Sequence, residues 1–130
     1  MNKVFWSLFF ISGGSIFGAG LRYLTALAAQ RYSITFPFGT LTVNWAGCFF
    51  IGCVTTLISE AGVLTSEQRL FLITGFCGSF TTLSSMVYES AQLVKAHEFW
   101  FAGVYWGATC VGAFGWFYLG VFMIKLLLHR

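Results

Sequence analysis

Charge is what this 130-residue chain has least of: 8% of its residues are Asp, Glu, Lys or Arg and none is aspartate, whereas a soluble domain carries about 25%. With 58% hydrophobic residues, the polar surface is too small to cover a water-soluble globule, so the chain is an integral membrane protein. Proline occurs once, at Pro37, and phenylalanine sixteen times. That composition suits helices and excludes an outer-membrane barrel, whose strands alternate apolar and polar residues in segments of about ten. The expected class is all-α, with the lipid bilayer as solvent and a bacterial plasma membrane as location.

The scarcity of titratable groups also excludes function classes. The acids are Glu60, Glu67, Glu89 and Glu98, and all but Glu89 fall in or beside loops. His97 and His129 are peripheral, so no catalytic pair or metal cluster is visible and no enzyme is expected. The net charge of +3 is scattered at segment ends, without the basic cluster that nucleic acid requires. Cys48, Cys53, Cys77 and Cys110 lack CxxC spacing and read as buried free thiols. The first apolar run lacks the short core and small-residue cleavage site of a signal peptide and is expected to be a retained span.

What the chain has is long apolar runs. A bilayer core of about 30 Å takes about 20 residues of helix, and the charges divide the single domain, 1–130, into four such segments. They run approximately over 4–29, 39–58, 66–93 and 99–128. "TSEQ" before the third run has the form of a helix start, and the short "KAHE" link implies that spans three and four form an antiparallel hairpin. Four spans put both termini and the second loop on one face, with Lys3, Arg69, Lys125 and Arg130; Arg22, Arg31 and Lys95 lie on the other. That near balance gives almost no orientation signal.

Three segments carry polar residues to membrane depth. Gly14 and Gly18 allow close helix approach, and Arg22 follows one turn later, either as an interfacial snorkelling residue or a functional one. Asn44 in the second span is a functional candidate or interhelical glue. The third span packs Gly75, Gly78, Ser79, Thr81, Thr82, Ser84 and Ser85 near its centre. That density disfavours continuous helix, and a break there would free carbonyls able to hold a small cation; an unbroken helix with back-bonded serines is the alternative. Glu89 is either an intramembrane proton-shuttling acid or an interfacial carboxylate.

"GGSIFGAGLRY", "PFGTLTVNWAGCFFIG" and "TGFCGSFTTLSS", in that order over three spans, resemble the Fluc (CrcB) family of fluoride channels. The resemblance implies an antiparallel, dual-topology dimer with two pores that exports fluoride passively. It implies a structural sodium at the dimer interface, bound by main-chain oxygens of Gly78 and Thr81 from each chain. It places Asn44, Ser84, Leu83, Met86 and Glu89 along the pore and Arg22 near its mouth. Leu83 and Met86 stand where the family has phenylalanines, Val87 where it has a second serine, and Ala113 and Phe117 where it has serine and threonine. A homodimer, or one half of a heterodimer with a homologous subunit, is expected. The alternatives are a non-conducting structural partner subunit and a small proton-coupled multidrug antiporter.

Overall fold

The computed structural model describes residues 2–33 and 35–129, so Arg130 of the charge comparison lies outside the described residues. Four helical spans are long and apolar enough to cross a bilayer, with no strand among the described residues. Helix α1 covers Asn2–Ala29, and α2 covers Phe38–Thr56 and runs on through a wider π-type turn at Leu57–Ala61. The third span is composite. It begins as α3 (Ser66–Arg69), widens into a π-helical stretch (Leu70–Cys77), tightens into the single turn α4 (Gly78–Phe80), and resumes as α5 (Leu83–Lys95). Helix α6 covers Phe99–Leu128.

Local chemistry explains where these elements begin and end. Thr65 and Gln68 form a reciprocal capping box, each side chain bonding the other's backbone N–H, which satisfies donors a helix start leaves unpaired. At the other end of the span, the Glu98 N–H bonds the Leu93 carbonyl (2.9 Å) and the His97 N–H bonds that of Val94 (3.0 Å). This is the Schellman closure, with His97 in the left-handed position at φ 62°, and it turns the chain directly into α6. Lys125 near the end of α6 pairs with Glu60 after α2 at 3.4 Å, which puts the second loop beside the C-terminal end of the chain.

Small residues set the helix spacing. The buried residues of α1 are Gly14 and Gly18; a Cβ on Gly14 would overlap the Phe71 carbonyl, and one on Gly18 the Phe76 carbonyl. Backbone-to-backbone approach therefore joins α1 to the third span, as small-residue interfaces do in membranes. Helices α2 and α6 meet in the same way, with Gly52 against the Phe117 carbonyl and Gly120 against that of Phe49. Trp45 lies over Gly112 and donates its indole N–H to the Ala108 carbonyl at 3.0 Å. A small core of Leu41, Met86, Leu93, Ala102 and Tyr105 sits where α2, α5 and α6 converge. Ile16, Phe114 and Val111 point outward, 73%, 70% and 76% exposed, and such apolar faces suit lipid.

Candidate functional site at the helix break

The interruption in the third span is two residues wide. Thr81 (φ −79°, ψ 158°) and Thr82 (φ −154°, ψ 118°) are extended between helical neighbours. In an unbroken helix the Thr82 N–H would bond the Gly78 carbonyl; here it bonds Asn44 Oδ1 at 2.8 Å. The other half of the same amide, Asn44 Nδ2, donates to the Thr82 carbonyl at 3.2 Å. Asn44 thus pairs with the Thr82 peptide as a neighbouring strand would, which satisfies groups that hydrocarbon would leave stranded. The hydroxyl of Thr82 caps α5 by accepting the Ser85 N–H (3.2 Å). It also lies 3.0 Å from Ser85 Oγ and 3.3 Å from Ser84 Oγ.

Below the break, Glu89 is held by two hydroxyls. Thr40 Oγ1 donates to its Oε1 and Tyr105 Oη to its Oε2, each at 2.7 Å. Tyr105 has no exposed surface, so its hydroxyl can reach only a protein partner, and Glu89 supplies it. Glu89 is therefore built into the junction of α2, α5 and α6.

Three cavities meet in this region through shared walls. The first, about 400 Å³, is lined by Gln30, Ser33, Thr35, Thr40, Glu89 and Gln92 among others. The second, about 270 Å³, also has Thr40 and Glu89 in its wall, with Arg22, Thr82 and Ser85. The third, about 330 Å³, shares Thr82 and adds Asn44, Thr81, Leu83, Met86 and Thr109. A polar series therefore leads from the end bearing Gln30 and Gln92 to the break, where the lining becomes largely apolar.

The sequence candidates divide between these cavities. Arg22 and Glu89 border the second, and Asn44, Leu83 and Met86 the third. Leu83 and Met86 differ sharply in exposure, at 69% and 2%; Met86 belongs to the core beside Leu41 and Tyr105. Ser84 is exposed beside Thr82, and Gly78 is exposed at the break. A Cβ on Gly78 would meet nothing of this chain nearer than the Ile73 carbonyl at 3.7 Å. Among the aromatic side chains, Phe80 is buried and stacked on Phe76 at 5.6 Å, while Tyr88 and Phe114 are exposed. The sequence did not single out Thr40 or Tyr105. The one available signal was that a carboxylate at membrane depth needs donors, which spacing along the chain cannot locate.

A four-span membrane protein with its third helix broken, pinned by an amide from the second and flanked by a polar series, defines the class. The family model described as "CrcB-like protein, Camphor Resistance (CrcB)" matches residues 9–121, and the chain belongs to the CrcB family. It is 39% identical over 126 residues to a protein of Prosthecochloris aestuarii, covering 97% of this chain and 98% of that one. It is 40% identical to a Chlorobium luteolum protein (92% of each chain) and 41% identical to one from Roseiflexus sp. (87% of this chain, 89% of the other). All three are named fluoride-specific ion channel FluC.

Proposed function

We propose that this chain is a subunit of a fluoride-selective channel that lets fluoride leave the cytoplasm passively. The observation that carries the reading is the polar series through shared cavity walls, from Thr40 and Glu89 past Arg22 to Thr82 and Ser85. Fluoride is small and strongly hydrated, so a pore must replace its water with donors. The paired hydroxyls of Thr82 and Ser85 are such donors at the break, Arg22 adds positive charge, and the N-terminus of α5 adds the positive end of a helix dipole. Several weak sites in series allow entry without trapping, and no step calls for acid–base chemistry.

The family likeness and the exposed Gly78 support an antiparallel dimer in which a second subunit covers the break. The main-chain oxygens of Gly78 and Thr81 fit a hard cation such as sodium, because ligation by carbonyl oxygens alone suits such ions. The diversion of the Thr82 N–H to Asn44 removes the helical donor from the Gly78 carbonyl. One chain offers two such oxygens, so two chains together would supply the set. The bound cation would fix the two breaks against each other and add positive charge near the anion path.

A second reading is favoured by one observation. The third cavity joins the apolar Ile51, Leu83, Met86 and Ala113 to the polar Asn44 and Thr109, so this chain would serve as a structural partner of a homologue that carries the conducting path. Efflux from liposomes separates the readings. The channel reading expects rapid fluoride efflux, without chloride efflux, from liposomes holding this chain alone. Silence that a co-expressed homologue rescues would establish the partner reading. Efflux that follows an imposed proton gradient and disappears in Glu89→Gln would overturn both in favour of an antiporter.

A further inference from the structure

The third cavity has a property that fluoride passage leaves unused, because three sulfur-bearing side chains share its wall: Cys48, Cys77 and Met86. Cys48 is half-buried on α2, and Cys77 is buried in the third span. The Cys77 side chain reaches the α2 backbone next to Cys48. Cys77 Sγ lies 3.5 Å from the Gly47 carbonyl oxygen, one residue from Cys48, and a Cβ on Gly47 would overlap the Thr81 side chain. Cys53, whose thiol faces the Gly120 carbonyl at 3.7 Å, and the exposed Cys110 do not border this cavity.

We infer that this cavity is a binding site for soft, thiophilic cations of the Ag⁺, Cu⁺ and Hg²⁺ class, with the Cys48 and Cys77 sulfurs as ligands and the Met86 thioether beside them. Soft thiolate and thioether donors select such ions over sodium or magnesium, and the apolar remainder of the wall favours a neutral product over a hydrated ion. That product is a bis-thiolate with Hg²⁺, or one thiolate with the second sulfur as a neutral thiol donor with Ag⁺ or Cu⁺. With mercuric chloride as probe, the two S–H bonds and two Hg–Cl bonds break and two S–Hg bonds form. Two protons and two chlorides leave, and no oxidation state changes.

The site is coupled to the break. The Cys77 carbonyl accepts both the N–H (3.1 Å) and the hydroxyl (3.0 Å) of Thr81. A bridge from α2 to Cys77 therefore acts on the residue that begins the interruption. On the fluoride-channel reading, which this consequence presupposes, a filled site stops efflux.

The test has two arms on the full chain in detergent and in liposomes. In the first, native mass spectrometry of Cys53→Ala/Cys110→Ala after equimolar HgCl₂ should show one mercury per chain carried without chloride, whereas adding Cys48→Ala or Cys77→Ala should leave only mercury that keeps one chloride, as a lone thiol holds it. Mercury that keeps its chloride in Cys53→Ala/Cys110→Ala would overturn the site. In the second, HgCl₂ should lower fluoride efflux by more than about tenfold, reversibly with dithiothreitol, in Cys53→Ala/Cys110→Ala but not in Cys48→Ala/Cys77→Ala, each compared with its own untreated rate. Efflux that continues in protein shown to hold mercury would refute the coupling. A chain with no efflux at all, yet binding one mercury, would count against the channel reading while leaving the cation site standing.

Discussion

Replacing Asn44 with leucine, which has the same branched side-chain shape and no hydrogen-bonding groups, removes both bonds that pin the helix break. The Thr82 N–H and carbonyl lose partners at 2.8 and 3.2 Å, and Thr82 is only 8% exposed, so water does not replace them. A buried backbone group left unpaired costs about 1–3 kcal/mol. If the chain relaxes by returning the Thr82 N–H to Gly78, one of the two losses is recovered and the break closes. The expected destabilisation is therefore about 2–6 kcal/mol with both groups unpaired, falling to about 1–3 kcal/mol where the helix re-forms. Asn44→Asp retains the acceptor for the Thr82 N–H and sets a second oxygen against the Thr82 carbonyl, so it should cost nearly as much. Thermal unfolding in detergent, with amide exchange at Thr82, reads both effects. A leucine variant with unchanged stability and an equally protected Thr82 amide would refute the clamp and leave Asn44 as a lining residue only.

Further outcomes follow from the same contacts. Tyr105→Phe deletes a 2.7 Å bond to Glu89 and should destabilise the chain by about 1.5–3 kcal/mol, the range for bonds to charged groups, as measured by unfolding in detergent. Gly18→Ala puts a methyl group into the Phe76 carbonyl and should sharply reduce the yield of folded protein. Gly20→Ala, with nothing within 4 Å of the added carbon, should be neutral or stabilising by up to about 1 kcal/mol through helix propensity. Gly78→Leu should leave the helical content of the chain intact and abolish assembly, measured by light scattering; a leucine variant of unchanged particle size would count against a second subunit at the break.

The spans were legible because membrane helices announce themselves: a run of some twenty apolar residues has few other destinations. The third start was legible from Thr65 and Gln68, whose capping exchange is local in sequence. The break was legible for a different reason, since Gly78, Thr81, Thr82 and Ser84 are poor company for continuous helix. What pins the break was not legible, because Asn44 lies 38 residues away from Thr82 and its spacing carries no mark of that pairing. The same holds for Glu89, whose donors Thr40 and Tyr105 come from two other spans. Nor does the sequence separate Leu83 from Met86. They sit three residues apart on α5, yet packing against Tyr105 and Leu41 buries Met86 and leaves Leu83 outside. The π-helical stretch at Leu70–Cys77 was also unforeseen; it arises where Gly14, Gly18 and Gly75 let two backbones meet.

The central claim is that fluoride passes the hydroxyl cluster at the break, and Thr82→Val tests it most directly. Valine keeps the shape and removes the hydroxyl, at a cost of about 1 kcal/mol in lost capping of α5. A hydrogen bond from a hydroxyl to an anion is worth about 1.5–3 kcal/mol, and 1.4 kcal/mol corresponds to about a factor of ten. Fluoride efflux from liposomes should fall by about tenfold or more in protein whose helical content and particle size match the parent. Efflux at the parental rate from such protein would contradict the account.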